Sequence, residues 1–200
     1  MHPNPLFRAR DEEAMLAEAA MIGFAHLFVA TPEGPMVVHA PLTRRGGRDF
    51  AFHVARANRA AQYLDGARLL ASVVGSDGYV SPNWYQRPGN QVPTWNYVAV
   101  ELEGRAASLD EAGLIAQLDE LAAAHEPRVN PAAPWTRAKM ADAPFRKMLG
   151  AIQGFALEVE AVRGTVKLSQ NKAAADRAGV VAALEASGNS TLARAMRDQG

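Results

Sequence analysis

The chain of 200 residues contains 21 basic residues, 21 acidic residues and no cysteine. The lack of cysteine excludes disulfide bonds, thiolate metal sites and cysteine nucleophiles. The charge balance lacks the basic excess of proteins that bind DNA mainly through its phosphates. No segment is apolar for long enough to cross a membrane, and residues 1–14 lack the apolar region of a secretory signal. We therefore expect a cytoplasmic protein.

The first half of the chain predicts one helix followed by several strands. Residues 11–22 are rich in Ala and Glu and are typical of a helix, which Gly23 would end. Apolar runs at 25–31 and 36–43 flank the turn residues 32–35, and they predict a hairpin. Two further strands are expected, at 49–55 and 68–75.

The second half predicts two more strands with helices between and after them. Alternating segments at 94–109 and 153–168 predict the fifth and sixth strands. Between them, a capping box from Ser108 to Glu111 precedes a helix with leucines at helical spacing. The expected elements that follow are a proline-rich link (Pro127, Pro131, Pro134), a short helix near 145–152 and two terminal helices near 172–186 and 189–197, the second with Asn189 as its N-cap.

Six strands joined mostly by short turns favour an antiparallel barrel over a parallel sheet. Alternation gives each strand one face for a core, as with Phe50, Phe52 and Val54. We expect an α+β fold that is mainly β. Residues 1–168 would form the barrel domain, with a helical insertion at about 109–152, and residues 169–200 would be a helical extension of the same domain.

Familiar catalytic motifs are missing from the sequence. There is no glycine-rich nucleotide loop, no zinc-protease motif, no nucleophile elbow and no cluster of metal ligands. Local motifs therefore predict neither a hydrolase nor a nucleoside triphosphatase. Polar and aromatic clusters near the strand ends remain as candidate sites.

The first cluster contains His39, His53, Arg56 and Asn58. If the strands of His39 and His53 form a hairpin, the two imidazoles share one face. They are then either part of a binding face or two solvated or hydrogen-bonded histidines. A metal site is disfavoured because no third ligand is visible.

The second cluster places aromatic residues among small polar ones, at 79–85 and 92–97. Flat rings such as Trp95 offer stacking area, while Thr94 and Asn96 offer hydrogen bonds. This composition predicts the rim of a ligand site. An aromatic-capped loop and half of a dimer interface are open alternatives.

The third cluster lies where the last strand meets a helix, at 167–172. Lys167, Gln170 and Asn171 provide an ammonium group and two amides, which suit an anion or the polar edge of a ring. Simple helix capping with solvated lysines is an equal alternative.

These clusters, in this order, resemble the PaiB-type family of FMN-binding split-barrel proteins. The segments that carry the resemblance are HAPL (39–42), HVARAN (53–58), YVSPNWY (79–85), VPTWNYVAVELEG (92–104) and KLSQNK (167–172). VPTWNY and KLSQNK are the most specific of them. The resemblance extends over nearly the whole chain.

The resemblance implies an antiparallel split β-barrel of the FMN-binding type that forms a homodimer and holds FMN between the subunits. It also implies a negative regulator of transcription. By analogy with other split-barrel flavoproteins, three groups of residues contact FMN. They are Arg56 and Asn58 near the phosphate; Thr94, Trp95 and Asn96 at the ring, with His39 and His53 on the adjoining face; and Lys167, Gln170 and Asn171 closing the site from the same or the partner subunit.

The sequence leaves three other functions open. A flavin-dependent oxidoreductase could use a reduced nicotinamide or a small organic acceptor, because the flavin carries the redox chemistry. Haem or another planar ligand is suggested only by the two histidines. Direct DNA binding has modest support from residues 163–200, which carry six basic and three acidic residues, but no clear helix-turn-helix pattern.

Overall fold

The structure is a computed structural model that describes residues 2–9, 11–87 and 89–199. Within these residues the strands are β1 (Phe24–Thr31), β2 (Gly34–Gly46), β3 (Asp49–Ala55), β4 (Arg68–Val80), β5 (Thr94–Ser108) and β6 (Ile152–Lys167). The α-helices are α1 (Glu12–Ile22), α2 (Glu111–Val129), α3 (Asp142–Leu149), α4 (Ala174–Ala186) and α5 (Ser190–Asp198). The strands form a closed barrel in the order β1-β2-β3-β6-β5-β4. This confirms the predicted barrel, with helices inserted before its last strand and two helices after it.

The first hairpin has the predicted turn and a continuous register. β1 and β2 pair antiparallel from Phe24 opposite Pro41 to Thr31 opposite Gly34. Gly34 has a φ angle of +102°, which favours glycine at this turn. The hydroxyl of Thr31 donates to the carbonyl oxygen of Gly34 at 2.7 Å. The hairpin is therefore fixed by turn chemistry as well as by pairing.

The core between β3 and β6 is built from aromatic side chains. Phe50, Phe52 and Phe155 are fully buried, as the predicted alternation requires. The rings of Phe52 and Phe155 stack with their centroids 5.3 Å apart. Burying each of these side chains stabilises the fold by about 1.5–3 kcal/mol. β5 also approaches β6 closely, because a Cβ atom at Gly104 would overlap the carbonyl oxygen of Glu158.

Internal contacts divide the chain into two compact units. We call them the central unit (Leu16–Val73 and Glu101–Val162) and the terminal unit (Met1–Met15, Val74–Val100 and Arg163–Gly200). Each unit is assembled from separate stretches of chain. The division at residue 168 expected from the sequence remains a prediction.

The central unit contains α2, whose start differs from the prediction. The side chain of Asp110, not that of Ser108, accepts a hydrogen bond from the N–H of Gly113 and caps the helix. The capping box was wrong because Ser108 is the last residue of β5, where its N–H donates to Asp65 at 2.7 Å. Pro127 was also misplaced, since α2 continues through it to Val129.

The terminal unit buries α4 and α5 around a separate apolar cluster. Val180, Leu184 and Met196 are almost fully buried there. Asn189 caps α5 as predicted, because its side-chain oxygen accepts from the N–H of Leu192 at 3.2 Å. Gly179 allows α4 to lie against the backbone at Trp84, since a Cβ atom at Gly179 would overlap the carbonyl oxygen of Trp84.

Candidate functional site

His39 is exposed on the β1–β2 hairpin. It lies directly opposite His26 in the strand register. The two imidazoles meet edge to face, with ring centroids 4.9 Å apart. The ring contact of His39 is therefore with a histidine that the sequence interpretation did not consider.

His53 belongs to a buried polar network of the central unit. Its Nδ1 lies 2.9 Å from Oε1 of Gln117, a residue with no exposed surface. Nε2 of Gln117 donates to the hydroxyl of Thr43 at 3.2 Å. Burial lowers the pKa of His53, although the bond to Gln117 opposes this change. Burial therefore favours the neutral imidazole, while Gln117 orients the ring and Thr43 holds Gln117.

The sequence interpretation missed Gln117. The signal available was a glutamine on the apolar stripe of α2, between Leu114 and Leu118. A polar residue at such a position must find a buried partner. Only the packing of α2 against β2 and β3 shows that the partners are Thr43 and His53.

Arg56 and Asn58 follow β3 in a turn. Nε of Arg56 donates to the carbonyl oxygen of Gly150 at 3.1 Å, which orients an otherwise exposed guanidinium group. Asn58 uses its side-chain oxygen to accept from the N–H of Ala60 at 2.9 Å. Arg56 lines a pocket of about 220 Å³ together with Arg146, whose guanidinium group is already paired with two carboxylates. This turn can present positive charge to an anion.

The terminal unit contains a small polar pocket of about 170 Å³, which we call the lysine pocket. It brings together four of the predicted site residues with several others. The lining residues are Thr94, Asn96, Lys167 and Asn171, together with Phe7, Tyr85, Gln91, Val92, Ser169 and Lys172. The ends of two predicted clusters therefore meet in one place.

Two ammonium groups line the lysine pocket. Nζ of Lys167 donates to the hydroxyl of Thr94 at 2.5 Å, and burial lowers the pKa of Lys167. Nζ of Lys172 donates to Gln91 at 2.6 Å and lies 5.3 Å from the centroid of the Tyr85 ring. Within residues 2–9, 11–87 and 89–199, neither ammonium group has a carboxylate partner. The pocket consequently holds positive charge that an anion or an electron-rich ring edge can balance.

Asn96 and Ser169 form the buried base of the lysine pocket. Asn96 has no exposed surface, and its amide nitrogen donates to the hydroxyl of Ser169 at 2.9 Å. Ser169 has a φ angle of +59°, a conformation that is uncommon for a residue with a side chain. Ser169 was not among the predicted ligands, and only the folded backbone shows its unusual conformation.

Trp95 and Gln170 do not line the lysine pocket. Trp95 is half exposed, and its indole N–H donates to Asp77 at 2.9 Å. The side chain of Gln170 bonds to the backbone: its oxygen accepts from the N–H of Leu168 at 2.7 Å, and its nitrogen donates to the carbonyl oxygen of Val166 at 2.6 Å. Gln170 therefore fixes the end of β6.

Comparison with known proteins identifies the family. Residues 1–161 match the family model described as "Putative FMN-binding domain". The chain belongs to this FMN-binding family. It is also 30% identical over 162 residues to "Protease synthase and sporulation protein PAI 2" of Bacillus subtilis (strain 168), an alignment that covers 78% of this chain and 76% of the relative. These matches confirm the predicted PaiB-type family and its cofactor, FMN.

Solved structures support the fold of this FMN-binding family member. The "FAD and Heme binding protein" from Mycobacterium smegmatis superposes with a TM-score of 0.62 at 18% identity, over 86% of this chain and 78% of that one. The "Flavocytochrome Anf3" from Azotobacter vinelandii gives 0.59 at 20% identity, over 84% and 72%. At these identities the likeness shows the fold, which is the predicted split barrel. In the described part of the chain, no helix has both the length and the apolar character needed to cross a membrane.

Proposed function

We propose that this chain is a cytoplasmic, homodimeric FMN protein whose FMN occupancy or redox state sets a conformation that a partner reads. The observation that carries the proposal is the pair of ammonium groups in the lysine pocket, neither of which has a carboxylate partner among the described residues. FMN requires positive charge for its phosphate and a polar, partly charged surface for its ring. The name of the sporulation relative supports the regulatory part of the proposal.

Arg56 is the proposed phosphate ligand. Its Nε is held by the carbonyl oxygen of Gly150, so the terminal nitrogens of the guanidinium group can donate to phosphate oxygens in a fixed orientation. Asn58, whose side-chain oxygen is bonded to the turn, has an amide nitrogen to donate. The fit is consistent with the expectation drawn from HVARAN.

The lysine pocket is the proposed contact for the flavin ring. Bound FMN would supply one- and two-electron redox chemistry. Lys167 would place a positive charge near the ring edge that becomes more negative on reduction, while Thr94 holds its ammonium group in place. Asn171 would add an amide, Asn96 would maintain Ser169 in position, and Gln170 would hold the backbone. Trp95 would act from the half-exposed surface beside the pocket.

The proposed homodimer would use the β1–β2 hairpin. Phe24, Phe28 and Val37 lie on one face of this hairpin and are 48%, 47% and 41% exposed. An apolar stripe of this kind on a barrel surface is typical of a protein interface. His26 and His39 lie on the same face. We place FMN between the two subunits.

The dimer is tested by substituting the stripe. Phe28→Glu introduces a charge that must be desolvated in the interface. We therefore expect the dissociation constant of the dimer to rise by at least about tenfold. Ala123→Glu, on the exposed side of α2, is the matched control and should remain dimeric. Light scattering after size-exclusion chromatography measures both. A monomeric wild-type chain at micromolar concentration would contradict the proposed dimer.

The first functional experiment is a titration of the purified chain with FMN, followed by flavin fluorescence and visible absorption. Saturation at one FMN per subunit is the expected result. Absence of binding at tens of micromolar would contradict the proposed site. FMN-dependent consumption of a reduced nicotinamide would favour the alternative function, a flavin-dependent oxidoreductase, for which the charge of Lys167 beside the ring is also suited.

Direct DNA binding is disfavoured by the terminal helices. Arg197 forms an ion pair with Glu185, and Arg177 donates to the carbonyl oxygen of Met196 at 2.8 Å. Two of the basic residues near the C-terminus are therefore bonded within the terminal unit. A gel shift with the FMN-loaded full chain tests DNA binding, and we expect no shift.

A further inference from the structure

A cavity of about 700 Å³ lies within the central unit, and we call it the apolar cavity. Its walls come from α2, α3, the segment between these helices and the adjoining strands. The principal apolar side chains are Leu118, Leu121, Trp135, Phe145, Met148 and Ile152. The volume lies within the range of small-molecule sites, which are mostly apolar with a few polar groups that fix orientation.

The charged side chains that line the apolar cavity are one arginine and two carboxylates. Nε of Arg137 donates to both carboxylate oxygens of Asp119, at 3.0 and 3.2 Å. Glu126 accepts from the backbone N–H of Trp135 at 2.9 Å. The guanidinium group of Arg137 also lies 5.3 Å from the centroid of the Phe145 ring. Among the described lining residues, the charge of Arg137 is compensated by Asp119 and Glu126 adds a second carboxylate, so the cavity disfavours a phosphate and suits an uncharged ligand.

His53 supplies a hydrogen-bond acceptor to the apolar cavity. An oxygen of Gln117 faces Nδ1, and an oxygen can only accept, so the proton of the neutral ring lies on Nδ1. In this orientation the amide nitrogen of Gln117 donates to the hydroxyl of Thr43. Nε2 of His53 therefore carries a lone pair, and His53 lines the cavity. A buried partner that fixes the tautomer of a histidine is a common feature of functional imidazoles.

We propose that the apolar cavity binds an uncharged small molecule with one or two aromatic rings and a single hydroxyl or N–H group that donates to Nε2 of His53. The rings of Trp135 and Phe145 offer stacking partners. The proposal goes beyond FMN binding, because the FMN phosphate needs an unpaired cation. It also assigns His53 to a second ligand instead of to the flavin.

The test compares two probes that differ by one donor. 2-Naphthol has two fused rings and one hydroxyl, while 2-methoxynaphthalene has the same rings and no donor. Isothermal titration calorimetry on the full chain, with and without saturating FMN, should show one site per subunit and a preference of about three- to tenfold for 2-naphthol, as one net hydrogen bond predicts. No saturable binding, equal affinity for the two probes, or displacement of 2-naphthol by FMN would each overturn the proposal.

Variants locate the probe in the cavity. Ala122→Phe places a ring in the cavity and should weaken 2-naphthol binding by at least about tenfold. Ala123→Phe is the matched control, because Ala123 is exposed on the next position of the same helix, and it should change the affinity by less than about twofold. If Ala122→Phe does not fold, Ala122→Leu is the smaller substitution, with a smaller loss in the same direction. An unchanged affinity in the folded variant contradicts the proposal.

His53→Phe tests the acceptor separately. It retains an aromatic side chain of similar shape but has no lone pair. We expect the preference for 2-naphthol over 2-methoxynaphthalene to disappear, while FMN affinity stays within about twofold of wild type. Retention of the preference would overturn the role of Nε2. A loss of FMN binding in this variant would instead contradict the separation of the two sites.

Discussion

The lysine pocket and the apolar cavity differ in size and, more importantly, in how their charges are balanced. The lysine pocket has a volume of about 170 Å³ and contains Lys167 and Lys172, which bond to neutral oxygens. The apolar cavity has about 700 Å³, and its Arg137 is paired with Asp119. A cation bonded only to neutral acceptors still exerts most of its electrostatic field on a ligand. In an ion pair, the opposite charge cancels most of that field. The comparison therefore indicates an electron-rich ligand for one site and an uncharged ligand for the other.

Charge reversal in the lysine pocket should have the largest effect on FMN affinity. Lys167→Glu places a carboxylate in a half-buried site, and we expect FMN to bind about 100-fold more weakly. Lys167→Met, which removes the ammonium group and keeps an unbranched side chain, should give a smaller loss of about tenfold. Fluorescence titration with FMN measures both variants, and 2-naphthol titration of the same proteins should be unchanged. Wild-type FMN affinity in Lys167→Glu would end the assignment of this pocket to the flavin.

Arg56→Glu should have the next largest effect. We expect a loss of FMN affinity of more than about tenfold, less than for Lys167→Glu because water and salt screen an exposed guanidinium group. Arg105→Glu is the matched control, since Arg105 is an exposed arginine that also donates to a backbone carbonyl, that of Gly66. Equal FMN affinity in the two variants would remove Arg56 from the site.

The pH dependence of stability should show the smallest effect. Because the pKa of His53 is lowered in the folded chain, the unfolded chain binds more protons just below the ordinary value of about 6.5. His53 therefore contributes to the stability of the fold above that pH. This contribution is lost as the pH falls through the pKa of His53 in the unfolded chain toward its lower pKa in the folded chain. Thermal unfolding between pH 5 and pH 7.5 should show a steeper decline for wild type than for His53→Gln. Parallel curves would contradict the lowered pKa.

Local sequence patterns were sufficient to predict features that depend on a single strand or turn. The hairpin turn at 32–35, the alternation of Phe50 and Phe52, and the cap at Asn189 depend on residues that are adjacent in sequence, and the structure confirms them. Ser108 shows the limit of such patterns. Its cap was predicted from spacing alone, but β5 extends to it and removes it from the helix.

The candidate site was predictable as a set of segments, but the roles of its members were not. KLSQNK and VPTWNY were recognised from their composition and from the family resemblance. Lys167 lines the pocket, whereas Gln170 bonds to the backbone. Which role a residue takes depends on which polar atoms are still available to a ligand after the local backbone has its hydrogen bonds. That balance exists only in the folded chain.

The sequence alone determined the strand pattern, the lack of cysteine chemistry and the PaiB-type resemblance, because these depend on residue identity, spacing and order. Tertiary structure decided that Gln117 fixes His53, that Asn96 fixes Ser169 and that His39 meets His26. The first two of these pairs are 64 and 73 positions apart in the chain, and their members become partners only when strands and helices pack. These contacts also decide which charged side chains lack a partner of opposite charge, and those side chains are the ones available to bind a ligand.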